Sequence, residues 1–133
     1  MCDTRPITFD VDPAQRVRRA TFRGVITEPV LLSTYGRLIS EPGYDFTLND
    51  LIDMRTVSRL EVGPDAIRQL VDLFAHPGEG ATNRCAIVTA TDHVFGMARM
   101  YEMLSWNSSE LIHVFRDIEE AERWLRAADH PPR

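Results

Sequence analysis

His113-Val114-Phe115-Arg116-Asp117-Ile118-Glu119-Glu120-Ala121-Glu122-Arg123-Trp124-Leu125 runs an apolar strand straight into an amphipathic helix. Asp117 is placed to cap that helix, and Glu120 to reach back and complete a capping box with Asp in the usual Ser/Thr position. Glu119 and Glu120 lie in the positive first turn, Arg123 and Arg126 toward the negative end. Ile118, Ala121, Leu125 and Ala128 share one helical stripe. The stretch is a βα unit, and the chain before it repeats the same plan.

Ile7-Thr8-Phe9-Asp10-Val11 alternates with period two, Asp12-Pro13-Ala14-Gln15 supplies a turn, and Arg16 to Val25 reads as a second strand. Thr27-Glu28-Pro29 opens a helix whose inner stripe is Leu31, Tyr35 and Leu38. Phe46 to Met54 is the predicted third strand. Gly63-Pro64-Asp65 then begins a helix with Ile67, Leu70, Val71 and Phe74 at i, i+3, i+4, i+7. His76-Pro77-Gly78-Glu79-Gly80 breaks it and is read as the most mobile internal loop. Cys85 to Ala90 is a nearly continuous apolar strand, with Ala86, Val88 and Ala90 on one side and Cys85 and Ile87 on the other. Asp92 is read as the cap of a helix running to about Trp106, and Leu111 to Phe115 leads into the closing helix.

The result is an α/β fold with a single open mixed sheet in the order ββαβαβαβα. An N-terminal antiparallel hairpin strand is followed by parallel strands. Right-handed crossovers between neighbouring strands set their helices on one sheet face. The other face, apolar at Ala86 and Val88, then needs a cover: a loop, a helix end or another subunit. Leu70, Phe74, Ile87, Val88 and Leu125 are the predicted core. At 133 residues the chain suits one domain, with a core from about 7 to 127, and folding buries roughly two-thirds of its surface.

Composition narrows the function. All 15 basic residues are arginine, which removes Schiff-base chemistry and the phosphate lysine of a P-loop. A net charge of −5 argues against nucleic acid as the main partner. Arg16, Arg18, Arg19 and Arg23 crowd the second strand and read as a solvated hairpin pairing with Asp10 and Asp12. No apolar run reaches the roughly 18 residues of a membrane span, and the start lacks a signal-peptide pattern, so the expected location is cytoplasmic. There a reducing environment disfavours a bridge between Cys2 and Cys85, and Cys85 reads as a small core residue. His76, His93, His113 and His130 lack metal-ligand spacing, so neither a metal nor a cofactor is expected.

Leu51-Ile52-Asp53-Met54-Arg55, Phe95 through Glu102 and Val114 through Leu125, taken together, resemble the STAS-like (SpoIIAA-like) group of small bacterial proteins. The resemblance spans about Ile7 to Ala127. It implies a sheet wound as a superhelix of βα turns, a plan shared with anti-sigma-factor antagonists and distantly with CRAL-TRIO lipid-binding domains. The regulatory members carry a phosphorylatable serine or threonine at the start of the helix after the Asp53-type strand. Here the matching Val62-Gly63-Pro64-Asp65-Ala66 has no hydroxyl, and Ser58 comes too early. The resemblance therefore implies protein docking without that phosphate switch.

Ligands of open parallel sheets collect beyond the carboxyl ends of the strands. That edge offers Asp53, Arg55, Thr91, Asp92 and Arg116 as candidate ligand-binding residues, with Thr89, Thr27 and Glu28 nearby. Two readings stand: an arginine holds an anion there, or the charges pair among themselves to fix loops. No nucleophile–base set accompanies Asp92-His93, so no catalytic residue is assigned. The helix after Asp92 has an inner stripe of Val94, Met97, Ala98, Tyr101 and Leu104. Its further apolar residues, Phe95, Met100, Met103 and Trp106, mark either a subunit interface, a pocket wall or a wide core contact. The leading expectation is a non-enzymatic interaction domain that forms a homodimer and engages another regulatory protein. The alternative is a carrier of a small apolar or amphipathic ligand held between the helices and the sheet.

Overall fold

The computed structural model describes residues 5–74, 83–105 and 111–127. The elements follow the expected order: β1 (Ile7–Asp12), β2 (Val17–Thr27), α1 (Glu28–Ile39), β3 (Asn49–Glu61), α2 (Pro64–Phe74), β4 (Arg84–Val88), α3 (Asp92–Leu104), β5 (Leu111–Phe115) and α4 (Ile118–Arg126). One five-stranded sheet runs β1-β2-β3-β4-β5, antiparallel between the first two strands and parallel thereafter. The hairpin closes with Arg16 at φ 56°, in the left-handed region, and its carbonyl accepts from Asn49 N–H at the head of β3.

β3 differs most from its predicted span. It starts three residues later than Phe46 and runs seven beyond Met54. The register against β2 explains why the alternation is lost. Thr21 and Arg23 pair with Asp53 and Thr56, and Gly24 and Val25 with Val57 and Arg59, so β3 carries an extra residue at two places. Each bulge moves the next residues onto the opposite face. Met54, Val57 and Leu60 therefore stay on one face at a spacing of three rather than two, while Leu51, before the first bulge, is buried on the other. Gly24, beside the second shift, has φ 71°, which favours glycine.

The helices do not all share a face, and here the one-sided expectation is corrected. Leu31 and Tyr35 of α1, Ile67 and Leu70 of α2, and Val94 and Ala98 of α3 join Phe22, Met54, Cys85, Ile87 and Val114 of the sheet in a first core. α4 packs on the other face, where Ala121 and Leu125 close over Leu51, Ala86 and Val88 in a second core. The handedness rule binds a helix that must return to a parallel strand, and α4 follows the last of these strands. The second face is thus covered within the same chain. Trp124 and Phe115 flank this core, their rings 5.6 Å apart.

Leu70, Ile87, Val88 and Leu125 are buried, whereas Phe74 is only partly so. β4 ends at Val88 and leaves Ala90 exposed. α3 is capped by Thr91, whose hydroxyl accepts from Val94 N–H, and Asp92 is its first helical residue. Asp117 caps α4 by accepting from Glu119 N–H. The predicted mobile loop His76 to Gly80, Cys2, and Trp106 lie outside the described residues.

Candidate functional site

The charged residues nominated beyond the strand ends form two separate pairs. Asp53 and Arg55, two apart on β3, pair with each other: Nε and Nη2 of Arg55 each lie 2.9 Å from an Asp53 oxygen. That hydrogen bonding holds the Asp53 carboxyl below its usual value. The second pair joins Arg116 to Asp92 at 2.7 Å, with the guanidinium 4.4 Å over the Phe95 ring. Thr91 is occupied as the α3 cap. Thr89, fully buried, donates its N–H to the Phe115 carbonyl at 2.9 Å. Glu28 accepts from Gly63 N–H at 2.7 Å and ties the start of α1 to that of α2. Each of these residues thus has a local structural partner, whereas Thr27, the N-cap of α1, makes no side-chain cap hydrogen bond. No hydrogen bond or ion pair joins the two pairs among the described residues.

The hairpin arginines divide: the solvated reading fails for Arg18, and the expected pairing with Asp10 and Asp12 does not form among the described residues, since Arg16 bridges instead to Asp45 and Arg19 to Glu122. Arg18 is only 5% exposed and faces the first core. Its Nε donates to Asp50 Oδ1 at 2.8 Å, and Nη2 donates to Asp50 Oδ2 at 3.3 Å and the Tyr44 hydroxyl at 2.8 Å. Nη1 reaches the Asp45 carbonyl at 3.1 Å, and the guanidinium sits 4.2 Å over the Tyr44 ring. Arg19 points the other way and pairs with Glu122 of α4 at 3.1 Å. A sequence signal for Arg18 exists: it shares period two with Ala20 and Phe22, as Asp50 does with Ile52 and Met54.

Next to Asp50 lies a half-enclosed cavity of about 80 Å³ between the sheet and helices α1 to α3. Its wall is mostly apolar, from Leu31 and Ile67 to Ile87 and Met97, and its polar groups are Asp50, Tyr35, Tyr44, Tyr101 and the Cys85 thiol. Cys85 is a buried free cysteine. Tyr35 is 7% exposed, and its ring is wedged edge-on against Phe9 at 5.5 Å and Phe74 at 5.6 Å. Burial, reinforced by the Asp50 carboxylate, pushes the Tyr35 phenol well above its usual value. Its hydroxyl has no hydrogen-bond partner among the described residues.

The apolar surplus on α3 is largely absorbed. Phe95, Met97, Met100 and Tyr101 pack against the first core, while Met103 is 64% exposed and Leu104, expected inside, 38%. Among the described residues no group of three or more His, Cys, Asp or Glu side chains could hold a metal ion. None of the described helices is long and apolar enough to cross a membrane.

No protein-family model matches the chain, and no curated protein does. Among solved structures it is similar to an uncharacterized protein of the DUF3478 family with a SpoIIAA-like fold from Shewanella loihica PV-4. The two share 16% identity and superpose with a TM-score of 0.60 over 94% of this chain and 98% of that one. At that identity the likeness concerns architecture, and it matches the sheet order and helix placement described above. The chain has a SpoIIAA-like fold.

Proposed function

We propose that this chain is a small non-enzymatic binding protein that holds an amphipathic molecule between helices α1 to α3 and the sheet. The observation that carries the reading is the apolar cavity with Tyr35 in its wall, a residue 7% exposed whose hydroxyl lacks a protein partner among the described residues. An acceptor oxygen on a ligand can take the hydrogen bond that this hydroxyl gives to no protein group. Size limits the guest. The cavity is smaller than the roughly 150 Å³ that admits benzene in an engineered apolar core, so a longer tail has to leave through the open side. Two measurements test the reading. Native mass spectrometry of protein purified from cells is expected to show a co-purifying small mass. Titration with n-hexane is expected to shift the NMR signals of Ile52, Met97 and Tyr101. A bare protein that also ignores hexane would remove the reading.

A second reading, self-association as a homodimer that also docks a regulatory partner, is favoured by Met103 and Leu104 at the end of α3. Leu111, 55% exposed on the edge strand β5, adds to it. The segment Val62 to Ala66 has no hydroxyl, so the reading includes no phosphate switch there. Sedimentation velocity at micromolar concentration is its test: a dimer that becomes a folded monomer in Met103→Glu supports it, and a monomeric wild type removes it.

A further inference from the structure

We propose that the cavity selects an uncharged guest, one with a short apolar body and an oxygen that accepts a hydrogen bond from Tyr35 Oη, over an anion or a cation of equal size. The inference rests on the reading of the cavity as a ligand site and adds the chemistry of the head group.

Three features of the wall carry it. Tyr35 lines the cavity and its ring is clamped by Phe9, Phe22 and Phe74, so it is fixed in the wall. The wall also contains Asp50, whose carboxylate is the formal charge nearest the guest. The cation that balances Asp50 is Arg18, which is not part of the wall and is directed at both Asp50 oxygens, the Asp45 carbonyl and the Tyr44 hydroxyl.

Each class of guest then meets a different cost. A carboxylate or phosphate would lose its hydration in a wall that offers Asp50 and no cationic side chain to replace it. An ammonium would lose its hydration to meet a carboxylate whose charge the Arg18 guanidinium already offsets. An alcohol, ketone or ether loses less hydration than an ion and accepts the hydrogen bond that Tyr35 gives to no protein group. Burial and Asp50 both keep the phenol protonated, so it serves as a donor across the physiological range.

The test compares n-hexanol, hexanoate, n-hexylammonium and n-hexane as probes of the full chain at neutral pH, by calorimetry or NMR titration. Hexanol is expected to bind at least about tenfold more tightly than either charged probe. In Tyr35→Phe its affinity is expected to fall about tenfold, the size of one hydrogen bond, while hexane affinity holds. Hexanoate or hexylammonium binding as tightly as hexanol would overturn the inference. So would hexanol binding that ignores the loss of the Tyr35 hydroxyl. In both cases hexane binding would leave the cavity reading standing. Failure of all four probes would overturn that reading and the inference with it. Should Tyr35→Phe not fold, the wild-type ranking of the probes still decides.

Discussion

The two faces of this sheet are built to different standards. Under α4, Leu51, Ala86, Val88, Ala121 and Leu125 form a small core of apolar side chains alone, each at most 5% exposed. Under α1 to α3 the same strands bear a larger core that also contains an ion pair and a cavity. One helix laid along β3, β4 and β5 can follow their small side chains closely. Three helices set by crossovers meet the sheet at places dictated by the strands they join, and they leave space where their faces converge. The contrast separates a face that holds the sheet together from a face with room for a guest.

The largest expected effect lies on the roomy face. Asp50→Ala leaves Arg18 charged and buried without its counterion, at an expected cost of about 3–5 kcal/mol in urea unfolding. Replacing both members, as in Arg18→Met with Asp50→Leu, is expected to cost less than the single change. If the double variant is worse than Asp50→Ala, the pair is not the polar liability the contrast requires.

Next comes a direct comparison of the faces by matched truncation. Leu125→Ala on the tight side is expected to cost about 2–5 kcal/mol, with Leu70→Ala, already beside a void, nearer the lower end. Chemical denaturation of both variants measures the difference, and equal losses would erase the distinction in packing. Gly24→Ala is smaller, about 1–2 kcal/mol by the same assay. An added Cβ there meets nothing within 4 Å, so the cost is the left-handed backbone itself.

The smallest effect concerns the polar margin beside α4 and depends on pH. Hydrogen bonding from Arg55 lowers the Asp53 carboxyl in the folded state. Its contribution is therefore present above the ordinary carboxylate value, roughly 3.9, and is lost as pH falls through the folded value. Asp53→Asn is expected to be less stable than wild type at neutral pH, with the gap closing in acid. A gap that stays constant down to low pH would assign the loss to packing instead.

Much of the architecture was legible because the elements are short and regularly patterned. Ile67, Leu70 and Phe74 announce α2, and the step from Phe115 through Asp117 to Leu125 announces β5 and α4. β3 was only half legible, since its two bulges destroy the alternation that marks a strand, and those bulges appear only against β2. The burial of Arg18 is masked in the sequence because four arginines in eight residues look like a solvated strand, although parity places this one beside Ala20 and Phe22. The crevice residues Asp53, Arg55, Asp92 and Arg116 were found by topology, but which carboxylate each arginine takes is a matter of rotamer and strand twist. The cavity had no sequence signature at all, because it is the gap between side chains drawn from six elements.

The placement of α4 also orders events during synthesis. Leu51, Ala86 and Val88 all leave the ribosome before Ala121 and Leu125. A nascent chain long enough to pair β3 with β4 therefore still presents a bare oily strip, an adhesive surface for other unfinished chains. Only when the final helix swings across does the strip close, so lengthening the chain between Phe115 and Ile118 is expected to prolong that vulnerable interval.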